Sequence, residues 1–546
     1  MATTADVVAE YLARAGIKRI YGVPGEGSCL DLIEAARFRH IEFLATQNGG
    51  AAAIMAATDG DLTGQPGVCI TALGSGATSV VAGVAHAYLD RLPLIVLAGR
   101  AARASLRVGL RQNIDQRLIF RAVTKDRATV TRSRAARLIA WAWEEATTSP
   151  AGPIHLDLPA DEAVGAARRR LIPAHRAKPE DPSPNAIRHL AGLLTRSGRA
   201  VVVAGSGCRE AAVTRPLREL VEHLGAPTLT TPRAKGVIPE DHPLAAGVFS
   251  GGSLEEELLG RADCVLAVGV DPAEVLARPW RAGRKVLSLS DYRMTPCPFV
   301  ATAEATGSLS AGLVMLREGL PPAGEWSLAS WARVGEAFRA RARSLLVEAV
   351  SSRGLHGLAP HRVVEIAREI FPRQTIATVD TGAHAMVVSA FWDTYEPKTY
   401  LCSGGFAGAG YAIPAAIAAK LVAQERPVLA FAGEGGLLLN LPEVAIASGL
   451  GLKIVFVVFV DESLSLVRVA QEQKRYAPVG VSLPPLDIPK IVDGLGALGT
   501  AVEDEEGLRS ALSDALEAPR PAIIAVRVNP HGYRRMLEVL RGKAQT

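Results

Sequence analysis

Residues 427–466, PVLAFAGEGGLLLNLPEVAIASGLGLKIVFVVFVDESLSL, decide the fold class of this 546-residue chain. The stretch contains two apolar runs, PVLAFAG and KIVFVVFV, which lack the polar alternation of a half-exposed strand. Such runs are typical of strands that are buried on both faces of a parallel sheet. The first run is followed by Glu434 and the second by Asp461. The stretch therefore predicts two parallel strands, joined through a glycine turn and a helix, with an acid at the end of each strand.

These two acids predict a ligand site at one edge of the sheet. In open α/β sheets, ligands bind at the carboxyl ends of neighbouring strands. The turn Gly433-Glu434-Gly435-Gly436 lets backbone N–H groups approach a phosphate. Two carboxylates beside such a turn suit a hard cation such as Mg²⁺ that holds a diphosphate. Taken alone, the pair of acids is equally compatible with a turn that only faces solvent.

The composition indicates an ordinary globular protein of several domains. Hydrophobic residues make up 49% of the chain and charged residues 21%, which is ample for buried cores. The formal net charge of +5 is small for this length, no long basic block is present, and aromatic residues amount to 5%. We therefore expect no nucleic-acid partner.

The cysteines and the apolar runs indicate the cellular setting. The six cysteines are widely separated and form no Cys-x-x-Cys pair, so we expect buried free thiols in a reducing cytosol. No apolar run approaches the roughly 18 residues of a membrane span. The start, MATTADVVAEYLARAG, is typical of an amphipathic helix with a threonine cap and a glycine stop. We expect a cytoplasmic protein with no membrane partner.

Three regions alternate helices with buried strands, which predicts an α/β protein of three doubly wound parallel-sheet domains. The predicted domains are 1–165, 186–318 and 358–546. A run rich in proline and charge, RRRLIPAHRAKPEDPSPN, marks the first linker. A helical connector is expected at about 321–357.

The chain resembles the acetolactate synthase and pyruvate decarboxylase superfamily of thiamine diphosphate-dependent enzymes. In that family a Gly-Asp-Gly turn is followed 27 residues later by an asparagine, and Glu434 and Asp461 have this spacing. YGVPGE, GSGATSVVAGVAHAYLDRLPL, RQNIDQ and GPIHLDLPAD follow one another in the order of the family's pyrimidine-binding domain. TPRAKGVIPEDHPLAAGVF resembles its central domain, and TIATVDTGAHAM and CSGGFAGAGYAIPAAIAAK resemble its diphosphate-binding domain. The resemblance covers nearly the whole chain and implies the same three-domain fold.

The resemblance also assigns residues to the site. It implies that Mg²⁺ is held by the side chains of Glu434 and Asp461 and by the carbonyl of Ser463. The remaining positions expected around thiamine diphosphate are Pro24, Gly49, Gly74, Gly382, Ala383, His384, Gly405, Phe406, Ala407, Ala409, Gly433, Gly435, Gly436, Leu464 and Ser465. Gln112, Asn48 and His384 are the candidate catalytic residues. Only His384 titrates near neutral pH, and a histidine anchored to the backbone beside the diphosphate is the alternative for it.

One departure concerns the proton-handling acid. In the family, a glutamate at the pyrimidine ring shares a proton with N1′ so that the 4′-amino group can act as a base. Aligned on Met55 and Ala56, that position is Gly49, which has no side chain to carry a proton. Glyoxylate carboligase resembles this case, because it also lacks the glutamate.

Three further departures fall on positions that handle the cofactor. Ala409 stands where the family has a bulky residue that bends thiamine diphosphate, a loss that Phe406 or Leu464 could offset. Glu434 replaces an aspartate and Asp461 replaces an asparagine, which adds one negative charge beside the diphosphate.

Two function hypotheses follow. The first is a thiamine diphosphate- and Mg²⁺-dependent lyase or transferase that makes or breaks a C–C bond next to the carbonyl of a 2-oxo acid or aldehyde. The alternative is a repurposed or inactive homologue that does not bind thiamine diphosphate. FAD in the central domain is possible but unsupported, because Gly205-Ser206-Gly207 is better explained as a structural turn. The resemblance also implies a homodimer or homotetramer.

Overall fold

The computed structural model describes residues 2–105, 108–109, 111–168, 170, 172–275, 280, 285–321, 328–351 and 356–542. The chain divides into two compact units. The first unit comprises Met1–Lys178, Phe406–Gly408 and Ile417–Gln424, and the second comprises Pro179–Gly405, Ala409–Ala416 and Glu425–Thr546. The predicted boundaries at 165, 186, 318 and 358 stay predictions. Parts of the expected connector, 322–327 and 352–355, lie outside the described residues.

The first parallel sheet has six strands in the order β2-β1-β3-β4-β6-β5 among the described residues. The strands are β1 (Arg19–Val23), β2 (Glu42–Ala45), β3 (Gly67–Thr71), β4 (Leu94–Arg100), β5 (Asp126–Thr129) and β6 (Pro153–Pro159). The helices are α1 (Thr4–Arg14), α2 (Ser28–Arg37), α3 (Gly49–Thr63), α4 (Ser75–Ser79), α5 (Val81–Leu89), α6 (Gln116–Phe120), α7 (Ala135–Thr147) and α8 (Ala160–Ala163). As the sequence predicts, β3 and β6 are buried along their whole length, and α1 begins with a capping box between Thr3 and Asp6.

The second parallel sheet has the order β12-β11-β10-β7-β8-β9 in the described part of the chain. Its strands are β7 (Ala200–Ala204), β8 (Thr228–Thr230), β9 (Ala245–Val248), β10 (Cys264–Val268), β11 (Lys285–Ser290) and β12 (Ala303–Thr306). The helices of this region and of the connector are α9 (Pro184–Thr195), α10 (Ala211–Leu224), α11 (Glu256–Leu259), α12 (Leu309–Glu318) and α13 (Leu328–Val350).

The third parallel sheet contains the stretch that decides the fold, in the order β14-β13-β15-β16-β18-β17. Its strands are β13 (Ile376–Val379), β14 (Tyr400–Cys402), β15 (Val428–Gly433), β16 (Val455–Val460), β17 (Leu498–Val502) and β18 (Ala522–Arg527). The helices are α14 (Pro360–Ile370), α15 (Ala383–Phe391), α16 (Ala412–Val422), α17 (Glu434–Asn440), α18 (Glu443–Gly449), α19 (Ser465–Gln473), α20 (Ile488–Asp493), α21 (Glu505–Glu517) and α22 (Gly532–Arg541). The apolar runs of β15 and β16 pair in parallel and are buried, as predicted.

Each sheet has a point inside it where the strand order reverses, which confirms the predicted doubly wound α/β architecture. The reversal lies between β1 and β3 in the first sheet, between β7 and β10 in the second, and between β13 and β15 in the third. Chain segments that leave the carboxyl ends of these strand pairs diverge to opposite sides, so a crevice forms there.

All six cysteines are free thiols, as predicted, but not all of them are buried. Cys29, Cys69, Cys208 and Cys264 are buried, whereas Cys297 is exposed and Cys402 is half-buried. Within the described residues, every helix is too short or too polar to cross a membrane.

Candidate functional site

Glu434 joins the carboxyl ends of β15 and β16. It is the first residue of α17, and its Oε2 accepts the backbone N–H groups of Asp461 at 3.0 Å and Glu462 at 2.7 Å. The residue is only 2% exposed, and its Oε1 has no hydrogen-bond partner in the described part of the chain. A buried carboxylate oxygen without a partner loses hydration and gains nothing in return. Glu434 Oε1 is therefore available to a ligand.

The turn after β16 is organised on Asp461. Its Oδ1 accepts the N–H of Ser463 at 3.2 Å, and its Oδ2 accepts the hydroxyl of Ser465 at 2.6 Å. The Oγ of Ser463 is buried and has no partner among the described residues. Glu434, Asp461 and Ser463, the three predicted metal ligands, thus lie at one edge of the third sheet.

The electrostatics of this edge favour a bound cation. Burial raises the pKa of the Glu434 carboxyl, and the neighbouring charges of Asp461 and Glu462 raise that pKa further. Burial also raises the pKa of the Asp461 carboxyl, while its bonds to Ser465 and Ser463 oppose the rise. A divalent cation would relieve this cost of ionisation.

The donor set therefore fits Mg²⁺, which prefers carboxylate and carbonyl oxygens and completes its shell with water and ligand phosphates. The fit rests on the unpartnered Oε1 of Glu434 and on the adjacent carboxylate of Asp461. Among the described residues, no group of three or more histidine, cysteine, aspartate or glutamate side chains could hold a metal by itself. The Ser463 carbonyl and a bound phosphate would have to supply the remaining oxygens.

Close approaches explain the glycines of the 433–436 turn. A Cβ on Gly436 would lie 2.3 Å from Oδ2 of Asp380, and one on Gly435 would lie 2.8 Å from Cδ2 of Leu464. A side chain at either position would have to displace a neighbour. Leu464 therefore covers the glycine turn, and its side chain is bulkier than that of Asp380, the other residue packed against the turn.

Asp380 is a site residue that the sequence prediction missed. It follows β13 and accepts the N–H groups of Thr381 at 2.7 Å, Gly410 at 2.8 Å and Tyr411 at 3.3 Å. Burial raises its pKa to about 6, although these bonds oppose the rise. The missed signal was an acid directly after a buried strand, the same signal that identified Glu434 and Asp461.

His384 is enclosed by the same edge. It lies in the first turn of α15, where its ring stacks on Phe459 with centroids 5.4 Å apart. A Cβ on Gly382 would lie 2.6 Å from the ring, and one on Gly433 would lie 3.3 Å from it. Burial lowers the pKa of His384 to about 4, while a hydrogen bond to the Asp380 backbone opposes this shift. The imidazole is therefore neutral at pH 7, which favours the anchored histidine over a proton carrier.

The turn between β14 and α16 is more open in the single chain. Phe406 is 39% exposed, and Ala407 and Ala409 are also exposed, whereas Gly405 is half-buried. Ala383, at the start of α15, is buried. Ala409 is itself too small to provide the bulk that the resemblance implies at this position. That Phe406 or Leu464 provides it instead stays a prediction.

In the first unit, Gly49 has neither an acid nor room for one. It is the first residue of α3, after the N-cap Asn48, whose Oδ1 accepts the N–H of Ala51 at 2.7 Å. A Cβ on Gly49 would lie 2.1 Å from Oγ of Ser79 and 2.8 Å from Cγ1 of Val80. Gly49 is therefore needed for close packing of α3 against the junction of α4 and α5.

Gln116 holds the turn after β3, a role that the sequence did not reveal. Its amide donates to Asp157 Oδ1 at 3.1 Å and to the carbonyl of Gly99 at 3.1 Å, and its Oε1 accepts the N–H of Gly74 at 3.2 Å. Gln116 is buried. The predicted cofactor residue Gly74 is thus fixed by a buried amide from the RQNIDQ segment.

Gln112 lies in the same segment but is exposed, with a φ of 55°. A Cβ on Gly74 would lie 2.6 Å from the Gln112 carbonyl oxygen, so the structure brings these two predicted residues together. Pro24, after β1, is exposed, and Asn48 is half-buried. The catalytic roles of Gln112 and Asn48 stay predictions.

The glycines of the central region pack against protein. A Cβ on Gly205 would lie 2.3 Å from Cα of Val270, and one on Gly207 would lie 3.0 Å from Cα of Gly269. The N–H of Ser206 donates to Glu274 Oε2 at 2.9 Å. These contacts support the structural turn, and nothing in them favours FAD.

Comparisons with known proteins agree with this geometry. Residues 2–119 match the N-terminal TPP binding domain of thiamine pyrophosphate enzymes, residues 187–288 match the central domain, and residues 380–526 match the C-terminal TPP binding domain. Thiamine pyrophosphate (TPP) is another name for thiamine diphosphate. The fold and the paired acids thus define a three-domain enzyme of this class.

The most informative similarities to individual proteins are to acetolactate synthases. The chain is 28% identical over 550 residues to the acetolactate synthase isozyme 1 large subunit of Escherichia coli (strain K12), which covers 96% of this chain and 94% of the relative. It is 27% identical over 539 residues to the catabolic acetolactate synthase of Raoultella terrigena, and the match covers 96% of this chain and 95% of the relative. A probable acetolactate synthase large subunit of Methanocaldococcus jannaschii is 26% identical over 556 residues, with 96% and 92% covered. The chain belongs to the thiamine diphosphate-dependent enzyme superfamily, as an acetolactate synthase-like member.

Proposed function

We propose that this chain is a thiamine diphosphate- and Mg²⁺-dependent enzyme that makes or breaks a C–C bond next to the carbonyl of a 2-oxo acid or aldehyde. The observation that carries the proposal is the buried, unpartnered Oε1 of Glu434 beside the carboxylate of Asp461. A fold that had lost its ligand would have no reason to keep the Glu434 carboxyl buried with one oxygen unpartnered, because that burial costs free energy.

The residues of the third sheet would bind and orient. The carboxylates of Glu434 and Asp461 and the carbonyl of Ser463 would hold Mg²⁺. The 433–436 turn is closed by Asp380 on one side and Leu464 on the other, so it would fix the diphosphate against the metal. When bound, thiamine diphosphate supplies a nucleophilic carbon and an electron sink for reactions at a carbonyl.

Proton handling would differ from that of relatives that have the glutamate. Gly49 has no side chain, and enclosed His384, with its pKa lowered to about 4, is a weak base that stays neutral at pH 7. The amides of Asn48 and Gln112 do not titrate, so they would orient water or substrate. We infer that water moves the proton, and that activation is slower than in a relative with a glutamate.

A second candidate function is a homologue that does not bind thiamine diphosphate. The specific observation in its favour is that Ser79 and Val80 fill the space beside Gly49. We further propose a homodimer or homotetramer in the cytoplasm, as the resemblance and the cysteine usage imply.

Two Asp461 variants separate these functions. We expect Asp461→Ala to abolish 2-oxo acid consumption in Mg²⁺ and thiamine diphosphate, because it removes a metal ligand. Asp461→Asn, which places the family's residue there, should retain it, and Glu505→Gln is the exposed control. Pyruvate and larger 2-oxo acids would be assayed with protein whose thermal unfolding is unchanged. The proposal would be overturned if the Asp461→Ala variant consumed 2-oxo acids as fast as the wild type. It would also be overturned if the wild-type protein consumed none of the substrates.

A further inference from the structure

Four arginines line one cleft of about 300 Å³ in the first unit. Arg100 ends β4, Arg117 lies in α6, Arg121 follows α6, and Arg127 lies in β5. Leu118 and Asp115 complete the lining. The cleft is thus formed next to the carboxyl end of β4, an edge where α/β sheets bind ligands.

Most of this positive charge is not neutralised by protein. Arg100 pairs with Asp157, with 3.1 Å between Nη1 and Oδ2. Within the described residues, no carboxylate oxygen lies within 4.0 Å of the guanidinium groups of Arg117, Arg121 or Arg127. Asp115, the acid of the lining, is the N-cap of α6 and accepts the N–H of Leu118 at 3.2 Å. The cleft therefore has a surplus of cations.

The field of these arginines reaches the core of the sheet. His155 is fully buried and stacks on Phe120, with ring centroids 4.0 Å apart. Burial lowers the pKa of His155 to about 3, and the charges of Arg117, Arg127 and Arg100 contribute to the shift. Three of the four arginines are thus close enough together to act on one buried group, as expected of a focused positive potential.

Buried contacts hold Arg100 in place. Asp157, which pairs with Arg100, is fully buried and is itself bonded to the buried amide of Gln116. Gln116 in turn holds the backbone at Gly99 and Gly74. Arg100 is therefore oriented before any ligand arrives, which lowers the entropic cost of binding.

We propose that this arginine cleft binds a small phosphorylated anion. Guanidinium groups match phosphate oxygens with two parallel hydrogen bonds, and several of them around one cleft suit a dianion better than a single carboxylate. The six lining residues belong to the first unit, and none of them is assigned to Mg²⁺ or to the diphosphate.

The test uses inorganic phosphate as the probe. Binding to the full-length protein would be measured by titration calorimetry against sodium chloride of equal ionic strength. We expect saturable phosphate binding, and we expect the double variant Arg117→Gln/Arg121→Gln to weaken it at least about tenfold, because two charge-assisted contacts are lost. The matched control is Arg134→Gln/Arg137→Gln, which removes the same charge from exposed positions of the same unit and should bind as the wild type does.

A third variant distinguishes binding in this cleft from binding at the carboxyl edge of the third sheet, where Glu434 and Asp461 lie. Asp461→Ala should leave phosphate binding unchanged, since the cleft does not involve the third sheet. Phosphate binding that is lost in Asp461→Ala but retained in the cleft variant would overturn the proposal. Equal heats with chloride would also overturn it, because the arginines would then only be screened.

Discussion

The first and third sheets share one strand order, and their carboxyl edges can be compared strand by strand. In each sheet the first strand lies between the second and the third, and the order reverses between the first and the third. At the third sheet, acids follow three strands, at Asp380, Glu434 and Asp461. At the first sheet, the resemblance to the family predicts an acid at the position of Gly49, the first residue of α3. The same topology therefore supports one edge with three acids and one edge with a glycine at position 49.

Glycine serves opposite purposes at the two edges. At Gly436 the missing Cβ leaves room for the carboxylate of Asp380, so a charged group packs directly against the turn. At Gly49 the missing Cβ is replaced by Ser79 and Val80, and a Cβ on Gly83 would likewise lie 2.6 Å from that of Ala53. At the first edge the glycine allows close helix packing, whereas at the third edge it leaves room for a carboxylate.

The largest expected effect is at the third edge. We expect Glu434→Gln to weaken Mg²⁺-dependent binding of thiamine diphosphate more than about a hundredfold, or about 3 kcal/mol, because the charge that holds the metal is lost. Titration calorimetry measures this, with Glu505→Gln as the exposed control. Glu434→Asp, the family's residue, should bind nearly as the wild type does. If Glu434→Gln bound thiamine diphosphate as tightly as the wild type does, the third sheet would not differ from the first in having a carboxylate that binds the metal.

The next effect restores an acid to the first edge. Gly49→Glu alone should not help, since Ser79 and Val80 occupy the space. Combined with Ser79→Ala and Val80→Ala, it should speed exchange of the C2 proton of bound thiamine diphosphate on the order of a hundredfold. Proton exchange followed by NMR in D₂O is the measurement, and the Ser79→Ala/Val80→Ala double variant is the control. No acceleration in a folded triple variant would show that Gly49 is not at the pyrimidine position.

A pair of glycine substitutions compares packing directly. Gly49→Ala should lower the free energy of unfolding by about 1–3 kcal/mol, because the added methyl group meets Ser79 and Val80. Gly449→Ala, at the end of α18, meets no atom within 4 Å and should be neutral or slightly stabilising. Urea unfolding of both variants gives the values. A neutral Gly49→Ala would mean that the first edge can open.

The buried imidazole of His384 should make the unfolding free energy depend on pH. The pKa of His384 is about 4 in the fold and near 6.5 when unfolded, so the unfolded chain binds the extra proton between these values. The stabilisation by neutral His384 is therefore complete above pH 6.5 and is lost as the pH falls towards 4. Between pH 7.5 and 5, His384→Gln should lose about 2 kcal/mol less of its unfolding free energy than the wild type loses. Parallel curves for the two proteins would contradict the neutral, enclosed imidazole.

The smallest effect distinguishes two glutamines of one segment. Gln112→Ala should change the free energy of unfolding by less than about 0.5 kcal/mol because Gln112 is exposed. Gln116→Ala should cost about 1–3 kcal/mol, since it removes the buried hydrogen bonds of Gln116 to Asp157 Oδ1 and to the Gly74 N–H. Chemical denaturation checks both. A larger loss from Gln112→Ala would reverse the roles of the two residues.

Sequence patterns predicted what is local. The buried strands β15 and β16 and the acids after them follow from residue order alone, because a strand end and its next residue are neighbours in the chain. The closure of Gly49 by Ser79 and Val80 depends on packing between residues 30 positions apart, which no local pattern encodes. Gln116 likewise could not be told from Gln112, because burial of one and exposure of the other is decided by the tertiary contacts with Asp157 and Gly74.

The most direct test of the account is calorimetric titration of metal-stripped protein with thiamine diphosphate, with and without excess Mg²⁺. The charged edge at Glu434 and Asp461 predicts binding of about one molecule per chain that requires the metal, with a matching rise in thermal stability. No heat at millimolar ligand, in protein shown to be folded, would contradict the assignment and leave the third sheet as a scaffold for another ligand.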